Sequence, residues 1–180
     1  MTRDPDLPIL AVVVHRPGEG AMMERVAAAA AAAGLRLAGM IQHDVARADR
    51  PYSTMLLTDL SGGPEIVLSQ DRGAASEGCH LDTAALEEAV GRLAVVLDAT
   101  PLPDLLILSK FARREAEGHG FRQTIERAVD HGVPVLVGVS DPHLDGFRAF
   151  ADGLELVLDG EAAAIDFLRE LAAETGRVSA

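Results

Sequence analysis

The feature that most constrains this chain is a strand, a glycine turn and a helix in immediate succession over residues 9–34. Residues 9–14 (ILAVVV) are an apolar, valine-rich run too short for a helix, which is the pattern of a strand buried on both faces. A Pro/Gly turn follows at residues 15–20 (HRPGEG). An alanine-rich run over residues 21–33 then stops at Gly34, as a helix does. Such a succession aims backbone N–H groups and a helix N-terminus at an anion above the turn.

The rest of the chain keeps alternating. Residues 35–42 predict a second strand and residues 43–51 a polar loop. Residues 53–59 and 65–69 flank Leu60-Ser61-Gly62-Gly63-Pro64, which predicts a β-hairpin, and residues 70–80 read as a loop across the sheet. Asp82 is placed to cap a helix with Leu86, Val90, Leu93 and Leu97 on one face, ended by Thr100-Pro101. Residues 104–109 (DLLILS) predict another buried strand. Phe121, Ile125 and Ala128/Val129 mark a helix closed by His131-Gly132. A strand at residues 133–139, a loop or short helix at 141–152, a strand at 154–158 and a final helix through Ile165, Leu168 and Leu171/Ala172 complete the pattern. Strands separated by helices imply crossover connections. The expected fold is three-layer α/β with a mostly parallel sheet and an inserted β-hairpin, as a single domain over residues 1–180.

Composition narrows the function classes. A net charge of −12 disfavours a nucleic-acid or acidic-membrane partner, because both call for a basic face. No stretch approaches the roughly 18 apolar residues of a membrane span. The start, MTRDPDLP, lacks the pattern of a secretory leader. One cysteine makes no internal disulfide and fits a reducing, cytoplasmic setting.

A working phosphate loop reads G-x-x-x-x-G-K-[ST], with backbone amides around the phosphates, Lys on the terminal ones and the hydroxyl on Mg²⁺. Laid on that pattern, the first Gly is His15, the second is Gly20, the Lys is Ala21 and the Ser/Thr is Met22. Only the backbone part survives, with Arg16 as a nearby positive charge. Losing the electrostatic clamp argues against efficient triphosphate hydrolysis. The site read from the turn is therefore a binding site: His15, Arg16, Pro17, Gly18, Glu19, Gly20 and Ala21. A tight connection that binds nothing is the plainer alternative.

Residues 109–122 (SKFARREAEGHGFR) leave the carboxyl end of a buried strand, the edge where parallel sheets place ligands. Lys110, Arg113, Arg114 and Arg122 outnumber Glu115 and Glu117 there. Gly118 and Gly120 flank His119 before the helix of Phe121, a second candidate anion-receiving helix start. A solvated loop whose charges pair with each other is the bland reading. Lys110, Arg113, Glu115, Gly118 and Gly120 join the candidate contacts. Asp71, Asp141 and His143 are placed near the same cleft, while Met22 and Met23 are expected to pack into the sheet. No CxxC or HxxxH spacing links Cys79, His80, His15, His43, His119 or His143, so no metal, Mg²⁺ included, is expected. A lone cysteine reads as a small buried hydrophobe, and as a nucleophile it would need His and an acid assembled around it.

The segment DLLILSKFARREAEGHGFR (residues 104–122), with GVPVLVGV at 132–139, SQDRG at 69–73 and GCHLD at 78–82, resembles a bacterial domain family of unknown function. That family carries a segment of the form DLL-x-x-NRFGK-x-E-x-x-G-x-GF. In layout it is similar to small P-loop nucleoside triphosphatases, whose corresponding strand ends in Asp-Glu where this chain has Ser109-Lys110. The resemblance implies a P-loop NTPase-like fold with a degenerate phosphate loop. Some relatives are encoded near molybdate-uptake genes, which implies oxyanion or molybdenum handling. The expectation is a non-hydrolysing binder of a small anionic ligand, a nucleotide or an oxyanion such as molybdate, with no catalytic residue. Two other classes stay open: a weak hydrolase or phosphotransferase using His15 or Arg16, and a structural or regulatory subunit acting through a homo-oligomer or protein partner.

Overall fold

A computed structural model of the chain describes residues 8–49, 52–70 and 81–176. In order, the elements are β1 (Leu10–His15), α1 (Met22–Ala32), β2 (Leu37–Val45), β3 (Thr54–Asp59), β4 (Ile66–Val67), α2 (Thr83–Asp98), β5 (Leu105–Phe111), α3 (Arg113–Ala116) and α4 (Arg122–Asp130). They continue with β6 (Val135–Ser140), a 3₁₀ turn (Asp141–His143), α5 (Leu144–Ala151), β7 (Glu155–Leu158) and α6 (Gly160–Glu174). The strands make one sheet in the order β4-β3-β2-β5-β6-β1-β7. Strands β2, β5, β6, β1 and β7 run parallel, and β3 and β4 are added antiparallel. This is the mostly parallel α/β sheet with an inserted hairpin that the alternation predicts, consistent with a P-loop NTPase-like fold.

The unbroken apolar runs follow from burial on both faces. In β1, Leu10 and Val12 join the core under α2, α4 and α5, while Ala11 and Val13 join the core under α1 and α6. Met22 and Met23 are buried in the second core, as expected of them. The layering also fixes where a ligand fits. The connection from β1 leaves through α1 on one face, and that from neighbouring β6 leaves through α5 on the other. Adjacent parallel strands whose connections part in this way leave a crevice between their carboxyl ends.

The structure moves several predicted boundaries. Strand β2 runs on to Val45 through residues expected in a loop, because His43, Asp44 and Val45 pair with Leu56, Met55 and Thr54 of β3. Backbone pairing sustains a strand after its apolar side chains end. Strand β5 likewise continues through Lys110 to Phe111, and β4 shrinks to two residues followed by an isolated bridge from Ser69 to Leu81. The short helix α3 is unannounced in the sequence. Asp71, Cys79 and His80 lie outside the described residues. Among the described residues no helix is long and apolar enough to cross a membrane.

Candidate functional site

The turn after β1 is built by two residues with fixed conformational roles. Pro17 and Gly18 occupy the centre of a four-residue turn closed by Glu19 N–H donating to the Arg16 carbonyl at 3.1 Å. Gly18 sits at φ +89°, the value a type II turn requires at its third position and one that glycine adopts freely. Met22 N–H then donates to the Glu19 carbonyl and Met23 N–H to the Gly20 carbonyl, starting α1. The capping position is Ala21, which offers no side-chain acceptor. Among the described residues, the amides of Gly18, Gly20 and Ala21 therefore donate to nothing. Arg16 N–H is occupied by Glu19 Oε2 at 3.2 Å, and His15 Nδ1–H donates to the Arg16 carbonyl at 2.9 Å.

The residues that carry these amides line a cleft of about 430 Å³ at the carboxyl edge of the sheet. Of the residues the sequence singles out, His15, Pro17, Gly18, Gly20, Ala21 and Lys110 line it, as does His143. Arg16 and Glu19 shape the turn without lining the cleft. The sequence gives no separate signal for Gln42, Asp44, Glu24 and Ser140, which also line it. All but Glu24 lie in the last residues of β2 and β6, where knowledge of the strand order would have found them.

A second, apolar cavity of about 240 Å³ adjoins the first and shares Gln42, Ser109, Lys110 and Ala112 with it. Arg113 and Glu115 line this cavity and not the cleft. Arg113 is paired with Glu117 at 2.7 Å, and this pairing holds the Glu117 carboxyl below the usual carboxylate range. Glu115 is buried. One of its oxygens accepts from Ala112 N–H at 3.0 Å and the other from Phe121 N–H at 3.2 Å. The helix start beyond Gly118 and Gly120 thus receives an anion, but that anion is the protein's own Glu115. Neither glycine lines either cavity. Gly120 lies at φ +60°, and a Cβ there would sit 2.2 Å from Glu115 Oε1.

Electrostatically the cleft is mixed. Lys110 is positive, Glu24 and Asp44 are negative, and His15, His43 and His143 bring three imidazoles. His43 Nε2 lies 3.3 Å from Glu65 Oε1 and Gln42 Nε2 donates to Asp44 Oδ1 at 3.2 Å. Arg25, Arg36, Arg47, Arg92, Arg113, Arg122, Arg127 and Arg169 are ion-paired. Arg16, Lys110, Arg114 and Arg148 have no carboxylate partner among the described residues. No group of three or more His, Cys, Asp or Glu side chains there is arranged to hold a metal ion.

At the positions that the phosphate-loop pattern would give to the Ser/Thr and the acid, this chain has structural groups. Met22 is 8% exposed in the core, and Ser109 Oγ accepts from Gln42 N–H at 2.7 Å. No solved structure gives a significant match to the chain. It is similar to the molybdenum import ATP-binding protein ModC 2 of Bradyrhizobium diazoefficiens, 28% identical over 159 residues. That alignment covers 87% of this chain and 18% of the relative, so the chain spans less than a fifth of the relative's length. The family described as "Protein of unknown function (DUF2478)" matches residues 9–167, and this chain belongs to it.

Proposed function

We propose that this protein is a cytoplasmic binding domain that holds a small anionic ligand, a nucleotide or an oxyanion, without hydrolysing it. The observation that carries this is the set of free amides at Gly18, Gly20 and Ala21, on an uncapped helix start that opens into the cleft. A helix N-terminus acts as about half a positive charge, and free N–H groups there are ready donors to an oxyanion. Lys110 adds a full charge from β5. Glu24 and Asp44 oppose it, but both are exposed, where water screens them. Nothing at Ala21, Met22 or Ser109 supplies the lysine, hydroxyl and acid of a triphosphatase.

The relative's name supports a molybdenum context. Its aligned part is a small share of its length, so the ATP binding in that name has room elsewhere in the relative. An accessory role beside molybdate handling follows as part of the same proposal, and the net charge of −12 keeps nucleic acid and acidic membranes off the list of partners.

Calorimetric titration with sulfate, phosphate, molybdate and ATP, with and without Mg²⁺, tests this. At least one anion is expected to bind, and Lys110→Ala to weaken it several-fold, with no phosphate released from ATP. Absence of heat from all four with folded protein would overturn the assignment. Mg²⁺-dependent phosphate release abolished by Arg16→Ala would move it to a slow hydrolase. A co-purifying protein partner with no anion binding would favour a structural subunit.

A further inference from the structure

The cleft does not end at Lys110. Beyond it lies the 240 Å³ cavity, walled by Met40 and Leu57 of the sheet, Leu86 of α2 and Phe121 before α4. All four of these side chains are buried. Water in such a space finds few hydrogen-bond partners, so an apolar group that displaces it gains free energy. A bare oxyanion would fill only the amide-lined half and leave this half wet.

We propose that the two cavities are one bipartite site for a small organic anion, whose oxyanion head sits at the Gly18–Gly20–Ala21 amides and Lys110 and whose ring-sized apolar body enters the second cavity. This rests on the anion-binding assignment above and narrows it to a ligand with an apolar part. The shared wall carries suitable chemistry. Lys110 lines both halves, Arg114 stands at the apolar half, and neither has a carboxylate partner among the described residues. Ser109, also in both walls, accepts from Gln42 N–H through Oγ and keeps its hydroxyl proton for a ligand oxygen. Glu115, the one acid among the described residues that line the apolar half, has both oxygens engaged by backbone amides. An engineered dry cavity of about 150 Å³ in another protein takes up benzene, so a substituted ring fits the size range.

The test compares two probes with the same head, methylphosphonate and phenylphosphonate, by calorimetry on the full chain. Phenylphosphonate is expected to bind at least about tenfold tighter, the increment that burial of a phenyl-sized group supplies. Leu86→Phe and, independently, Met55→Phe fill the cavity from α2 and from β3. Either is expected to erase the preference while leaving methylphosphonate binding in place. Equal binding of the two probes by the wild type overturns the bipartite site and leaves the anion assignment standing. Failure of both probes in protein that binds one of the four anions above overturns the bipartite site alone, and failure of all six ligands overturns both. A phenyl preference that persists in both folded variants also rules the cavity out.

Discussion

Glu115 offers the sharpest test of how the segment around the site is held. Replacing it by alanine removes the acceptor from two amides at once, Ala112 N–H at 3.0 Å and Phe121 N–H at 3.2 Å. An unsatisfied buried donor costs about 1–3 kcal/mol. The Phe121 bond is buried and the Ala112 bond only partly so, which suggests about 2 and about 1 kcal/mol respectively, or about 3 kcal/mol together. For a chain of this length that corresponds to a fall in Tm of about 6–12 °C. Glu115→Gln separates the contributions. Its amide oxygen still accepts one N–H, while its NH₂ group confronts the other, so about half the loss is expected to return. Urea denaturation followed by circular dichroism reads both variants. A loss below about 0.5 kcal/mol for Glu115→Ala, within the range of ordinary surface changes, would refute the claim that this carboxylate organises the segment. It would also reopen Glu115 as a ligand contact.

Other perturbations follow from the same coordinates. Gly39 lies at φ +139°, and a Cβ there would meet the Ile107 carbonyl oxygen at 1.9 Å, so Gly39→Ala is expected to cost more than about 4 kcal/mol and to appear as loss of soluble, folded protein. Folded protein with wild-type stability would contradict the close pairing of β2 and β5. Arg127 holds the Asp98 carboxyl below the usual carboxylate range, so the pair's stabilisation is present above the ordinary value near 4 and is lost as pH falls through the lowered one. The gap in urea midpoint between wild type and Asp98→Asn is therefore expected at pH 7 and should shrink in acid; a gap independent of pH would count against it.

The sequence made the layers legible because burial on both faces writes itself as unbroken apolar runs, as in β1, β5 and β6. The turn after β1 was legible for a similar reason, since Pro17 and Gly18 have few other uses in adjacent positions. What the sequence hid were features set by distant partners. His43 and Asp44 look like loop residues because their strand is sustained by β3 rather than by apolar side chains. Glu115 looks like one more surface charge in a basic run until the turn through Gly118 and Gly120 brings the Phe121 amide to it. The apolar cavity could not be foreseen, because its walls come from the sheet, α2 and the segment before α4.

Those distant partners also bear on the proposal that the site binds without cutting. Restoring a lysine at Ala21 would meet little resistance, since the position is exposed. The other two absent groups are different. A threonine at Met22 would give up a side chain packed in the core beneath α1 and α6, at about 2 kcal/mol or more for a buried methionine-sized group. An aspartate at Ser109 would put a carboxylate where the residue is 6% exposed, and it would lose the hydroxyl that accepts from Gln42 N–H. On the phosphate-loop alignment, packing and the hydrogen bond between β2 and β5 thus occupy the positions at which a triphosphatase would hold a metal ion and orient water. The amides of Gly18, Gly20 and Ala21 take part in neither.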